Sequence, residues 1–527
     1  MNIFFPALSL LAGTAFGLNY TEPYRPQYHF SPAKNWMNDP NGLLYHNSTY
    51  HLFFQYNPAG IEWGNMSWGH ATSRDLTHWD ERPVALLARG YPENVTKMYF
   101  TGSAVADVNN TSGFGVEGKI PLVAMYTSSY PISQELPSGK YVRAEQQSQS
   151  IAYSLDEGET WTRYDAENPV IHNPPSPYAA EFENFRDPFV FWHGDTQKWI
   201  SVTVLASLHK ILIWSSDNLK EWSLASEFGP YNAVGGVWEC PNMFELPIKG
   251  DPSAKKWVIV LGLNPGGPPG TVGSGTQYFI GDFKGTTFKP DSASIHPGNN
   301  SANWMDWGPD FYAATSYNGL PDGDVVQIAW MNNWQYGEVI PTSAWRSAMS
   351  VPCQLSLKKV EKEVILLQQP QQNWRRVVNL VNHQTFKHSW KSVPKGSTRL
   401  EPPGRAFNID LSFSDHDYDD SLASTFAIAV RTSSDLKQEA LIGYNFTSKE
   451  VFMDRRNSRD VSFDKTFASL YHGSLPSRAD KPINLQIFVD WSSVEVLGGE
   501  GEVSLTAQIF PEGNSTEARL VSIDRVT

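Results

Sequence analysis

Three carboxylates stand where a turn feeds an apolar strand: Asp39 in "NDPNGLLY", Asp187 in "RDPFVFW" and Glu239 in "ECPNMFEL". An Asp followed by Pro often does no more than cap its own turn. Three acids at matching positions of repeated units are a different matter. Carboxylates that converge on one pocket repel, and the repulsion raises the proton affinity of at least one of them. Glycoside hydrolysis uses that division of labour: one carboxylate attacks or stabilises the sugar cation while a protonated one delivers H+ to the leaving oxygen.

Such groups need elements that bring distant residues together. Five openers, "NDPNGLLY" at Asn38, "TGSAVAD" at Thr101, "RDPFVFW" at Arg186, "ECPNMFEL" at Glu239 and "GPDFYAA" at Gly308, each lead to a second apolar strand and recur roughly 50 to 85 residues apart. Hairpins signed by Asp or Gly and an aromatic follow, ending at Trp79, Trp161, Trp222 and Phe288. This beat suits four-stranded blades with long loops, so the sequence predicts an all-β chain that begins with a five-bladed β-propeller whose inner strands line one channel. A plain β-sandwich of unrelated strands is the competing arrangement, and no long stretch sustains a helical apolar period. Beyond Pro352, "LKKVEKEVILLQQPQQNW" reads as a charged, Gln-rich connector. After it, "AFNIDLSF", "TFAIAVRT", "INLQIFVD" and "EVSLTAQIF" place apolar residues at every second position, the pattern of a β-sandwich domain. The expected limits are 1–17 for a leader, 18–352 for the propeller, 353–373 for a linker and 374–527 for the sandwich.

Only 18% of the 527 residues are charged, the net charge is −14 and no basic run exists to follow phosphates. Nucleic acid and anionic membranes are therefore not expected partners, and a neutral substrate is. Aromatics reach 13%, with 19 Trp and 22 Tyr; most pack cores, and such rings also stack on the apolar faces of sugars. "MNIFFPALSLLAGTAFG" reads as a secretory leader without a basic start, shorter than a membrane span, so a secreted, extracellular protein is expected. Sequons at Asn19, Asn47, Asn65, Asn94, Asn109, Asn110, Asn299, Asn445 and Asn514 make N-linked glycans expected partners. The two cysteines, Cys240 and Cys353, read as buried free thiols rather than a bridge. His46, His51 and His70 read as strand or core residues, "DPNG" lacks the later ligands of a calcium loop, and "GLNPGGPPGTVGSG" lacks the Gly-Lys-Ser/Thr end of a phosphate loop. No metal or organic cofactor is required.

"WMNDPNG", "FTGSAV", "FRDP", "WEC" and "WMNNWQYG", in that order, resemble glycoside hydrolase family 32, the invertase and inulinase family. From Tyr24 onward the texture is similar to that family's secreted fungal exo-inulinases. The resemblance implies that Asp39 is a nucleophile forming a covalent fructosyl-enzyme and Glu239 the acid/base. It implies that Asp187, beside Arg186, holds the fructose 3- and 4-hydroxyls and stabilises the transition state. Asn38, Gln55, Trp63, Thr101, Arg186 and Trp334 are the implied substrate-binding residues, with Thr101 where a Ser is usual. Cys240 is expected to lie against Glu239 and help keep it protonated; a nucleophilic role finds no His placed beside it by any motif. Cys353 and Trp491 stand where the family commonly carries Arg, which bears on salt bridges and domain packing.

The expectation is a secreted, monomeric, retaining exo-acting β-fructofuranosidase that releases terminal fructose from inulin-type fructans and from sucrose. Its two reacting carboxyls should lie about 5 to 5.5 Å apart, and its pH optimum should fall below neutral. The alternatives are a sucrose-preferring invertase, a fructosyltransferase and, remotely, a non-catalytic carbohydrate-binding protein on the same scaffold.

Overall fold

The computed structural model describes residues 20–381, 396–400, 404–413, 425–476 and 482–523. The expected leader, 1–17, and the sequon at Asn19 lie outside the described residues. The first blade is an antiparallel meander of Asn35–His46, Thr49–Asn57, Ser67–Ser73 and Trp79–Leu86. The inner strands of the next four are Met98–Ala106, Phe185–His193, Val237–Ile248 and Tyr312–Ser316. Trp345–Arg346 returns to pair in parallel with Asn35 and Trp36, which ties the last blade to the first.

Residues 353–373, read as a linker, carry two paired strands, Cys353–Val360 and Glu363–Pro370, in the sheet of the fifth blade. Leu355, Leu357, Leu366 and Leu367 are buried there, while the Lys and Glu residues that suggested a connector occupy the turn and the outward positions. The helix Gln372–Val381 follows and buries Trp374.

The repeat is visible in detail at the outer hairpins. Ser73 donates to Asp75, Ser154 to Asp156 and Ser216 to Asn218. The indole N–H of Trp79, Trp161 and Trp222 then donates to the carbonyl three residues earlier, on Leu76, Gly158 and Leu219, at 3.1, 3.1 and 3.0 Å. Those three carbonyl residues all have positive φ, 66°, 82° and 62°, so the Ser-x-Asp/Asn turn and the Trp fix the same left-handed step in three blades.

The sandwich faces a six-stranded sheet against the four-stranded sheet Phe407–Phe413, Ile483–Val489, Ser493–Gly498 and Val503–Gln508. Its core is apolar, with Ile428, Ile442, Leu485, Val496 and Leu505 fully covered. At the seam with the propeller, His29 places Nδ1 2.8 Å from Asp490 and Nε2 2.8 Å from Glu495. Trp491 takes the Arg405 guanidinium over its ring at 3.4 Å, and its carbonyl accepts from Arg431. Cys353 is buried in the core that joins the first blade to the sandwich. Apolar and cation–π packing thus occupies both positions where the family commonly has Arg. Both cysteines are free and buried.

Candidate active site

A β-bulge recurs at one end of all five inner strands. Between Met37 and Pro40, Tyr99 and Gly102, Arg186 and Phe189, Glu239 and Asn242, and Tyr312 and Thr315, two residues oppose one on the neighbouring strand. A bulge breaks the ladder and re-aims side chains. Here it turns five strand ends into one funnel floor. Asp187, Cys240 and Ala313 hold positive φ at the bulges of the third, fourth and fifth blades, 62°, 50° and 51°. Left-handed backbone at non-Gly residues carries strain, and three neighbouring blades carry it at the same level.

The bulges deliver one network. Asp39 accepts from Asn38 Nδ2 at 3.0 Å on Oδ1, and from Thr101 Oγ1 at 2.6 Å and Cys240 Sγ at 3.4 Å on Oδ2. The Trp36 indole holds Asn38 from behind at 2.8 Å. Asp187 Oδ2 accepts the backbone N–H of Cys240 at 2.9 Å, and the N–H of Asp187 donates to Thr127 Oγ1 at 2.8 Å. Glu239 receives Arg186 Nη2 at 3.2 Å on Oε1 and Tyr312 Oη at 2.5 Å on Oε2. Arg186 also reaches Gln147 Oε1 at 3.3 Å and sits 3.9 Å from Asp187.

Burial and charge differ among the acids. Asp39 is 8% exposed, and burial holds its carboxyl above the ordinary Asp range, against the pull of the Thr101 hydroxyl and with a further push from the Glu239 charge. Burial lifts Asp187 most, to about 7, opposed by Arg186 and reinforced by Glu239. The Glu239 side chain keeps 21% of its surface open, so it is the acid best placed to meet an oxygen entering from solvent. Burial, with Asp39, Asp187 and Glu239 around it, pushes the Cys240 thiol well above its ordinary value. A neutral thiol is a poor nucleophile.

The family model for the glycosyl hydrolases family 32 N-terminal domain matches residues 29–370, and the model for the family 32 C terminal matches 376–527. The chain belongs to glycosyl hydrolase family 32. This family 32 chain is 63% identical over 517 residues to the extracellular exo-inulinase of Aspergillus niger, covering 98% of this chain and 95% of that protein. Among solved structures, the exo-inulinase from Aspergillus awamori matches with a TM-score of 0.93 at 63% identity and 96% coverage of each chain. The fructofuranosidase from Schwanniomyces occidentalis complexed with fructose matches with a TM-score of 0.79 at 32% identity, again over 96% of each chain.

Asn38, Asp39, Thr101, Arg186, Asp187 and Glu239 of the family 32 chain share the funnel network. Gln55 is buried on the second strand, opposite the Asn38-Asp39 bulge, and its side-chain amide donates to Asn41 at 2.8 Å once the Asn41 amide is oriented to accept. Trp334 is half-buried and packs on Trp36, the indole that holds Asn38, and on Trp330, with centroids 5.8 and 4.9 Å away. Trp63 stands apart from the hydrogen-bonded network: it is 41% exposed, edge-on to Phe100 at 6.0 Å, with its backbone N–H on Glu338. Cys240 lies against Asp39 rather than Glu239, because the bulge points successive side chains of the Glu239-Cys240 pair to different neighbours. Tyr312, Gln147 and Thr127 were missed. The fifth opener, "GPDFYAA", held the signal for Tyr312, since the matching blades place a functional side chain at that level. Among the described residues, no group of three or more His, Cys, Asp or Glu could hold a metal ion.

Proposed function

We propose that this family 32 glycosidase is an extracellular retaining β-fructofuranosidase that releases terminal fructose from inulin-type chains, and from sucrose, by double displacement. In the first step an Asp39 carboxylate oxygen bonds to C2 of the terminal fructosyl unit. The bond from C2 to the leaving oxygen breaks, and Glu239 passes its proton to that oxygen. In the second step Glu239 takes a proton from water, the water oxygen bonds to C2 and Asp39 departs as a carboxylate. Thr101, Asn38 and Cys240 orient Asp39 for attack. Asp187 and Arg186 face the ring hydroxyls, and Asn38, Gln55 and Trp334 line the sugar. Trp63 offers an exposed ring at the rim for a further sugar face.

The observation that carries this reading is that three carboxylates from three blades share two neighbours, with Cys240 bonded to Asp39 and Asp187 and Arg186 reaching Asp187 and Glu239. The names of the 63% identical relatives support inulin as the substrate. The catalytic unit is taken to run through Pro370, whose hairpin completes the fifth blade, with the sandwich after it. The protein is taken to work as a monomer without nucleic-acid or membrane partners. Among the sequons, Asn47, Asn94, Asn109, Asn110, Asn299 and Asn514 are exposed, while Asn65 and Asn445 are half-buried; glycan is expected first on the exposed set.

The test is free fructose release from inulin and sucrose by the pure protein, with the anomer followed by NMR at early times. β-Fructose from both substrates is the expected result, and no fructose from either overturns the reading. A rate on sucrose far above that on inulin assigns an invertase, and longer oligosaccharides at high sucrose assign a transferase. Light scattering and peptide mapping of the secreted protein check the monomer and the glycans.

A further inference from the structure

We propose that Arg455, in the sandwich, is a positioning residue that acts through Asp310 to hold Tyr312 against Glu239 and to fix the turn carrying Trp334. The proposal rests on Glu239 being the acid/base. It makes the second domain part of the machinery of leaving-group departure.

Arg455 and Asp310 are both fully buried, and their ion pair is 2.7 Å long. Asp310 lies two residues before Tyr312, whose hydroxyl donates to Glu239. The other side-chain contacts of Asp310 also reach distant segments: Oδ2 accepts the backbone N–H of Gln508, and Oδ1 accepts the Tyr336 hydroxyl at 2.6 Å. The approach is close because Gly308 opens this segment; a Cβ there would lie 2.2 Å from the Thr506 carbonyl oxygen of the sandwich. Tyr336 forms the second arm. It accepts from Arg455 Nη2 at 2.8 Å and belongs to the turn in which its N–H and that of Gly337 return to the Asn333 carbonyl, with Trp334 between. Gln508 Nε2 braces the same turn through Asn332 Oδ1 at 2.9 Å.

The Arg455 fork is fully used. Nε donates to the Phe467 carbonyl, Nη1 to Asp310 and the Gln508 carbonyl, and Nη2 to Tyr336 and Tyr471. A lysine keeps the charge beside Asp310 but cannot reproduce five directed donors. A purely structural bond would cost stability when weakened and leave the folded enzyme's chemistry alone.

Kinetics of Arg455→Lys, in wild-type and Tyr312→Phe backgrounds, on sucrose and on an aryl β-fructofuranoside at a temperature well below the measured Tm separate the two cases. The expected result is a fall in kcat on sucrose of roughly tenfold, little change on the aryl substrate, whose leaving group needs no proton, and less than about twofold further loss in the Tyr312→Phe background. A lowered Tm with wild-type kcat on sucrose overturns the proposal, as do losses that multiply with Tyr312→Phe. If Arg455→Lys does not fold, Tyr336→Phe, which removes the hydroxyl joining Arg455 and Asp310 to the Trp334 turn, must raise KM for inulin severalfold; unchanged KM overturns the proposal. Failure of the acid/base assignment is distinguishable, because Glu239→Ala would then lose no more activity on sucrose than on the aryl substrate.

Discussion

The funnel floor and the seam between propeller and sandwich both bury charged side chains, and they balance them differently. At the seam, two buried cations are matched by carboxylates: Arg455 meets Asp310 within 2.7 Å, and His29 lies between Asp490 and Glu495 at 2.8 Å each. These carboxylates raise His29 to about 9 although burial alone would lower it, so its ring is an imidazolium at neutral pH. On the floor, one guanidinium, Arg186, pairs with Asp187 and Glu239, while Asp39 is held by the neutral donors Asn38, Thr101 and Cys240. Burial without full counter-charge holds the Asp39 and Asp187 carboxyls above their ordinary range and weakens the fold, an arrangement expected where chemistry is kept at the expense of stability.

Asp39→Asn breaks the comparison most sharply. It should lower kcat on sucrose by at least about 10³-fold, as loss of a reacting group does, while the melting temperature holds or rises. A folded variant with near-normal turnover would remove the nucleophile. The mirror experiment is His29→Ala, which leaves two buried carboxylates uncompensated. It should cost about 3–5 kcal/mol in denaturant unfolding with kcat changed far less than stability. In the intact protein the His29 contribution has a defined sign. Its folded pKa lies above the unfolded value, so the stabilisation is complete below pH 6.5 and is lost as pH rises through about 9. Unfolding curves across that window should slope downward in the wild type and flatten in the variant.

Asp187→Asn sharpens the other side. Its folded pKa is raised from 3.8 to about 7, so the ionised group destabilises the fold progressively as pH climbs between those values. The variant should gain on the order of 1–2 kcal/mol of stability above pH 7, gain nothing near pH 3, and lose activity throughout. A variant less stable at pH 8 would contradict the raised pKa. The smallest effect belongs to Thr101→Val. The hydroxyl lowers the Asp39 pKa, so its removal should move the acidic limb of the kcat/KM profile to higher pH by less than about one unit; movement to lower pH would reverse the assigned sign.

Much of this was legible in the sequence because openers repeat. Asp39, Asp187 and Glu239 sit at strand starts that any closed ring of blades must bring together, and the Ser-x-Asp/Asn turn with its Trp marks three outer hairpins directly. What stayed hidden depends on geometry rather than residue type. The bulges that send Cys240 to Asp39 leave no signature beyond Pro or Gly at some openers. Gly308 opens the fifth repeat, and nothing local shows that it is there for the close approach of the Val503–Gln508 strand. Arg455 and Asp310 are 145 residues apart in the chain, and neither belongs to a motif. The 353–370 hairpin was masked by lysines and glutamates that a partly exposed strand pair tolerates.

The central claim, that Asp39 carries the sugar between two displacement steps, is tested most directly by trapping. Glu239→Ala supplied with an aryl β-fructofuranoside should be fructosylated quickly and hydrolysed slowly, because no base remains to activate water. Mass spectrometry of the quenched protein should find one fructosyl unit, on the peptide containing Asp39. An adduct on any other residue, or a first-formed fructose of inverted configuration from the wild type, would contradict the account.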